Sequence, residues 1–196
     1  MLFFLLAAGF LGLAIGSFFT AFLPRLAAGE SVLRGRSRCD HCKKTLAWAE
    51  LVPVLSFFSQ GGRCRSCRRP IPRIYPAIEL ATAFLFSAVA WGVLNSVLPP
   101  PAFLGGGNLI EFMYYAFFAA IGVAVSAYDL AHRIIPFILV VPLAVVGALA
   151  HLIGAARSGD IATLFPVAGT ALIVFFFFWA LWFFSRGRAM GRGDAD

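Results

Sequence analysis

The chain has 196 residues, 61% of them hydrophobic and 13% charged, with a mean hydropathy of +0.88. Soluble domains are ordinarily about half apolar and about a quarter charged, so this composition excludes a water-soluble enzyme and points to an integral membrane protein. Long unbroken apolar runs replace the alternation of an outer-membrane barrel, and the 22 Phe suit lipid-facing helices. The formal charge of +7 is concentrated: residues 24–76 hold 11 Lys/Arg against Glu30, Asp40 and Glu50. Between apolar spans, such a basic segment reads as a cytoplasmic loop facing anionic lipid, with no role for nucleic acid.

Residues 2–23 are apolar apart from Gly, Ser and Thr, long enough to cross about 30 Å of hydrocarbon. No Lys or Arg precedes them, so the run reads as a retained first transmembrane helix with its N-terminus outside, not a signal peptide. Further apolar stretches lie near 77–98, 109–128, 137–154 and 161–184. Pro99-Pro100-Pro101 and Gly105-Gly106-Gly107 separate the second from the third, and the segment Asp129 to Pro136 separates the third from the fourth.

Five alternating spans put 15 of the 16 Lys/Arg on one side, leaving only Arg157 opposite. The positive-inside rule makes the rich side cytoplasmic. The expectation is an all-α polytopic membrane protein of about five transmembrane helices: 1–23 the first helix, 24–76 a basic loop, 77–184 helices two to five, and 185–196 a cytoplasmic tail. No internal repeat is evident, and the Phe175–Phe178 run reads as lipid-facing.

All four cysteines lie in the loop, as Cys39-Asp40-His41-Cys42 and Cys64-Arg65-Ser66-Cys67. Two CxxC turns supply the four thiolates of a tetrahedral structural Zn²⁺ site, and the metal would fold a core-poor loop outright. Disulfides do not suit a reducing face. A dithiol redox role is the rival, and His41 could replace one ligand.

An ionisable group beside a membrane span is a functional candidate. Asp129 follows directly on the third span, and Asp194 stands in Gly191-Arg192-Gly193-Asp194 after the fifth. The topology puts both on the cytoplasmic face. Two carboxylates brought together do not ionise equally, so one can act as base towards water while the other donates a proton. Glu79, just past Tyr75-Pro76, reads as structural and is expected to pair with a basic residue of the loop. Glu111 lies on the outer side.

The motifs together resemble the prepilin peptidases, the type IV leader peptidases of pilus and type II secretion systems. The resemblance rests on Gly16-Ser17-Phe18, both CxxC pairs, Leu51 to Phe57, Gly62-Arg63-Cys64, and Pro70-Ile71-Pro72-Arg73-Ile74-Tyr75-Pro76-Ala77-Ile78-Glu79. Asp129, Ile135-Pro136 and Gly191 to Asp194 complete it. It departs from the family pattern at Thr20, Phe137 and Asp196.

The resemblance implies a membrane aspartic endopeptidase of the bacterial inner membrane that removes the basic leader of type IV prepilins and pseudopilins. It maps the catalytic pair onto Asp129 and Asp194 and zinc onto Cys39, Cys42, Cys64 and Cys67. It further implies N-methylation of the new terminus from S-adenosylmethionine, with the cysteine loop characteristic of bifunctional members. Members continue past the Gly-x-Gly-Asp motif into a further apolar helix, so the sequence reads as a piece of a longer protein. A non-catalytic, zinc-stapled scaffold of a secretion or pilus assembly, or an inactive truncated peptidase, is the alternative.

Overall fold

The computed structural model describes residues 1–31, 35–98 and 108–159, with scattered positions between 162 and 176. Its helices are α1 (Leu2–Ala27), the short α2 (Leu55–Ser59), α3 (Ile74–Leu94), α4 (Asn108–His132) and α5 (Phe137–Ser158). A 3₁₀ turn covers Trp48–Glu50. Among the described residues there is no strand beyond two isolated bridges. The protein is mostly helical, and α1, α3, α4 and α5 are each long and apolar enough to cross a membrane. These are the first four expected spans. The fifth, 161–184, lies mostly outside the described residues, as do the loop 99–107 and the tail 185–196.

Helices α1, α4 and α5 run past the C-terminal ends of their apolar stretches, whereas α3 begins three residues before its stretch and stops at Leu94, short of 98. The first continues through Pro24 and Arg25 to Ala27, where the Ala28 N–H still reaches the Pro24 carbonyl at 3.0 Å. Proline lacks the donor that this helical position would use, but its carbonyl still accepts and the helix runs on past it to Ala27. The third expected span runs on to His132, so Asp129 sits inside the last turn of α4 and does not follow the helix. The Arg133 N–H bonds the Asp129 carbonyl at 2.7 Å, and Arg133 has φ +56°, the left-handed conformation that ends helices.

The described residues form two compact units, Met1–Leu98 with Phe112–Ala124, and the remainder. In the first unit α1 packs along α3. The approach is set by Gly12 and Gly16, a Gly-x-x-x-Gly pair of the kind that lets membrane helices touch backbone to backbone. A Cβ on Gly16 would lie 2.6 Å from the Glu79 Cα, and one on Gly12 would lie 2.7 Å from the Ala83 Cα. Further along, the Phe112 ring meets Phe4 and Phe86 edge-on, with centroids 5.4 and 5.9 Å away. Large side chains such as Phe3, Phe10, Phe84 and Trp91 remain exposed, an apolar surface that lipid would cover.

Candidate metal centre and carboxylate sites

Each CxxC sits in the same eight-residue hairpin. The first brings Arg38 to Thr45 and the second brings Arg63 to Pro70, both as antiparallel bridges. In the first, the Cys39 N–H bonds the Lys44 carbonyl at 3.0 Å, and the Lys43 N–H bonds the Cys39 carbonyl at 2.9 Å. In the second, Cys64 bonds Arg69 at 2.9 Å and Arg68 bonds Cys64 at 3.0 Å. Lys43 and Arg68 share φ +58°. The segment is therefore an internal repeat, against the expectation of none. Its sequence signal is only Arg-Cys-x-x-Cys followed by two basic residues, and the middle pairs, Asp40-His41 and Arg65-Ser66, have nothing in common.

The two hairpins bring Cys39, Cys42, Cys64 and Cys67 together, with all four sulfurs within 4.8 Å of one another. Cys39 Sγ and Cys67 Sγ are 3.9 Å apart. A tetrahedron with Zn–S bonds of about 2.3 Å has edges of about 3.8 Å, so the sulfurs fit a metal of that kind. Exposed His41 is not among the converging atoms. Backbone N–H groups of Cys67 and Ser66 hold the Cys64 thiol down at about 7, against the opposing effect of its burial. At Cys67 the Arg69 N–H also favours thiolate. Desolvation and the neighbouring sulfurs of Cys64, Cys42 and Cys39 outweigh it and push the thiol up to about 11. Four such thiols share charge poorly by themselves, which is the electrostatic case for a cation among them.

Four side-chain contacts tie this loop to itself and to the helices. The Tyr75 hydroxyl, in the first turn of α3, donates to Asp40 Oδ2 at 2.9 Å. Arg25 at the end of α1 donates to the Arg36 carbonyl at 3.0 Å, and Arg38 pairs with Glu30. The fourth tie is Glu79. It does not pair with a basic loop residue, as expected from sequence. It is buried, and its Oε2 accepts the Val54 N–H at 2.7 Å, with the Ser17 hydroxyl bonding the same carboxylate.

Val54 has φ +62° and ψ −51°, and the Leu55 N–H bonds the Pro53 carbonyl. This is a γ-turn of the rare positive-φ kind, strained for a β-branched residue. Nothing in the local sequence announces it.

Between the loop and the facing parts of α1 and α3 lies a cavity of about 380 Å³. Its lining includes Ser17, Thr20 and Ala21 from α1, Tyr75 and Glu79 from α3, and Phe57 from α2.

Asp129 is exposed near the end of α4, one residue after Tyr128, whose ring packs against His132 at a tilt of 44° with centroids 4.6 Å apart. A helix C-terminus is the negative end of the macrodipole, so an acid there does not serve helix stability. Asp194 lies outside the described residues. Glu111 is buried in the first turn of α4.

Residues 10–93 match the Bacterial Peptidase A24 N-terminal domain, and residues 116–196 match the Type IV leader peptidase family. A protein of Klebsiella pneumoniae named prepilin leader peptidase/N-methyltransferase is 32% identical over 189 residues, 93% of this chain and 77% of that protein. The chain belongs to the type IV leader peptidase family.

Two further relatives of the same name come from Bacillus subtilis and Aeromonas hydrophila. The first is 41% identical over 95 residues (47% of this chain, 38% of that protein), and the second 32% over 165 residues (81% and 50%). The chain thus spans half or less of the length of these two relatives. No solved structure matches. The A24 N-terminal match contains both CxxC hairpins and Glu79, and the leader peptidase match contains both Asp129 and Asp194.

Proposed function

We propose that the protein removes the leader peptide of type IV prepilins and pseudopilins at the cytoplasmic face of the bacterial inner membrane, with Asp129 and Asp194 as its aspartic pair. The observation that carries this is Asp129 itself. It is an exposed carboxylate on the last turn of a membrane-length helix, where helix energetics disfavour an acid, within the segment that matches the leader peptidase family. The basic loop sets the orientation, with both aspartates and the cysteines inside.

The chemistry needs one ionised and one protonated carboxyl. The ionised member takes a proton from water as the water oxygen attacks the scissile carbonyl. The protonated member hydrogen-bonds the carbonyl oxygen as charge develops there. Collapse of the tetrahedral intermediate breaks the C–N bond, and the leaving amine takes up a proton. A prepilin offers a basic leader followed by an apolar helix. With that helix in the bilayer, the junction lies at the headgroup level.

Cys39, Cys42, Cys64 and Cys67 hold a structural Zn²⁺ in this reading, which fixes the loop. S-adenosylmethionine supplies the methyl group for N-methylation of the new terminus, the second activity in the names of the relatives.

The test is leader removal from a model prepilin in membranes, with Asp129→Asn and Asp194→Asn alongside. Each substitution is expected to lower the rate by roughly 10²–10⁴-fold, the usual weight of a general acid or base, with zinc content unchanged. Undiminished cleavage by either variant would remove that residue from the pair.

A further inference from the structure

We infer that residues 48–58 of the cysteine loop form a membrane wedge, whose exposed apolar side chains enter the lipid surface beside α1 and α3. The inference stands apart from the peptidase and methylation readings, since it needs only the two helices and the loop between them. Charge is spread unevenly within that loop. No Lys or Arg falls between Lys44 and Arg63, and Glu50 is the one acid of that stretch. Every large apolar side chain that is exposed in the described part of residues 28–73 lies here. These are Trp48, Leu51, Leu55 and Phe58, with Trp48 at 81% and Phe58 at 68% of full exposure.

Local structure gathers them. The Leu51 N–H bonds the Trp48 carbonyl at 3.0 Å, the closure of a 3₁₀ turn, which brings those two residues to one side. In α2, Leu55 and Phe58 are three apart and share a face. The 3₁₀ turn and α2 are in contact. Phe57 turns the other way, with its ring against Gly62, and lines the cavity. It anchors the segment from within, while Leu55 and Phe58 are left outside.

What covers the patch follows from its level. Glu79 is the sixth residue of α3, about 7–8 Å from its start, and Ser17 lies about 15 Å before the end of α1. The Glu79 carboxylate takes hydrogen bonds from Ser17 and from the Val54 N–H at 2.7 Å. The turn at Val54 is therefore held well below the end of α1, against the membrane helices themselves. With 21 residues α3 is little longer than the hydrocarbon requires, so its second turn lies at the hydrocarbon edge. Leu55 follows Val54 directly, and lipid surrounds the helices at that level. Exposed Lys43, Lys44, Arg63 and Arg65 flank the segment. This is the arrangement of an interfacial anchor, with an apolar tip among acyl chains, basic edges at anionic headgroups and Trp at the boundary.

The test is tryptophan quenching in the zinc-loaded protein, reconstituted into nanodiscs of phosphatidylethanolamine and phosphatidylglycerol. Trp91, Trp179 and Trp182 are replaced by Phe, which leaves Trp48 as the only tryptophan. With acyl chains brominated near the headgroup, Trp48 is expected to lose more than half of its emission. Aqueous acrylamide should quench it several-fold less than in a variant carrying both Leu55→Asp and Phe58→Asp. In that variant the quenching by brominated lipid should disappear, with zinc content and helicity unchanged because both side chains are exposed.

A Trp48 that acrylamide reaches freely and brominated lipid leaves unquenched would put the patch in water and overturn the inference. A Trp48 shielded from both would mean that a protein surface covers the patch, a second copy or another chain, and would overturn it equally. Lipid quenching that persists in the double variant would show that Leu55 and Phe58 do not carry the insertion, and the wedge would fall with them.

Discussion

Glu79 Oε2 accepts the Val54 N–H at 2.7 Å, so a buried carboxylate of a membrane helix holds a strained turn of the cysteine loop. Without this acceptor the donor would be left unpaired in a part-buried position. Glu79→Ala is therefore expected to destabilise the docked loop by about 1–3 kcal/mol, and Glu79→Gln by less, because its amide oxygen still accepts. Thermal unfolding of the zinc-loaded protein in detergent measures both. Identical melting of Glu79→Ala and the parent would show the tie to be energetically idle.

The same α3 residue bounds the helix crossing. Gly16→Val places carbon atoms where the Glu79 backbone already lies, with the Cβ only 2.6 Å from its Cα. Backbone has little room to yield, so the substitution is expected to cost about 1–3 kcal/mol and to separate α1 from α3. A cysteine cross-link between facing positions of the two helices would report the separation as a lower yield. An unchanged yield and melting point would contradict the crossing.

Tyr75→Phe removes the bond to Asp40 and keeps the ring. The contact is exposed to solvent, so about 0.5–1.5 kcal/mol is the expected loss. Asp40→Asn should cost a similar amount, and the double substitution should cost less than the sum. Additive effects in that cycle would mean the two side chains do not interact.

Metal affinity should depend on pH with a definite sign. The Cys64 thiol in the folded loop titrates at about 7, below its ordinary value, and Cys67 at about 11, above it. A lowered folded value favours the metal-free fold above the ordinary thiol range, and that benefit is lost as pH falls through 7. Metal must always displace the Cys67 proton, and below pH 7 it must displace the Cys64 proton as well. Zinc affinity, read by chelator competition, should therefore fall as pH falls, and more steeply below pH 7 than above it. A flat profile from pH 8 to 6 would count against thiolate ligation.

Removing the metal should unfold the loop selectively. Structural zinc contributes roughly 10–16 kcal/mol in small domains, and little apolar core is available to the loop in its place. Cys64→Ser is expected to expose the segment around Trp48 to protease while α1 and α3 keep their helicity by circular dichroism. Protection equal to that of the parent would mean the loop folds without metal.

The membrane helices were legible from sequence because apolar runs of about twenty residues have few other uses. Their ends were less so: Ile74 and Tyr75 already belong to α3, and Asp129 to α4, since a helix continues past its apolar stretch wherever no residue stops it. The four ligands were legible because CxxC spacing is a property of the local chain. The duplication of the CxxC hairpin was not, because it resides mainly in backbone conformation at Lys43 and Arg68. Nor was the partner of Glu79 legible. A sequence displays charged candidates and hides backbone donors, so the basic loop suggested an ion pair where the structure uses the N–H of Val54.

The contact of Gly16 with Glu79 has a consequence for the 46 residues, Ala28 to Arg73, that separate α1 from α3. Their two ends are brought near each other by helices that already pack without them. The intervening segment is thus a tethered ring, and much of the entropy of closing it is lost before any metal binds. Such a ring can unfold and refold while its anchor stays assembled. It can also be replaced as a unit: a short linker between the two helices should leave them paired and delete everything the ring carries.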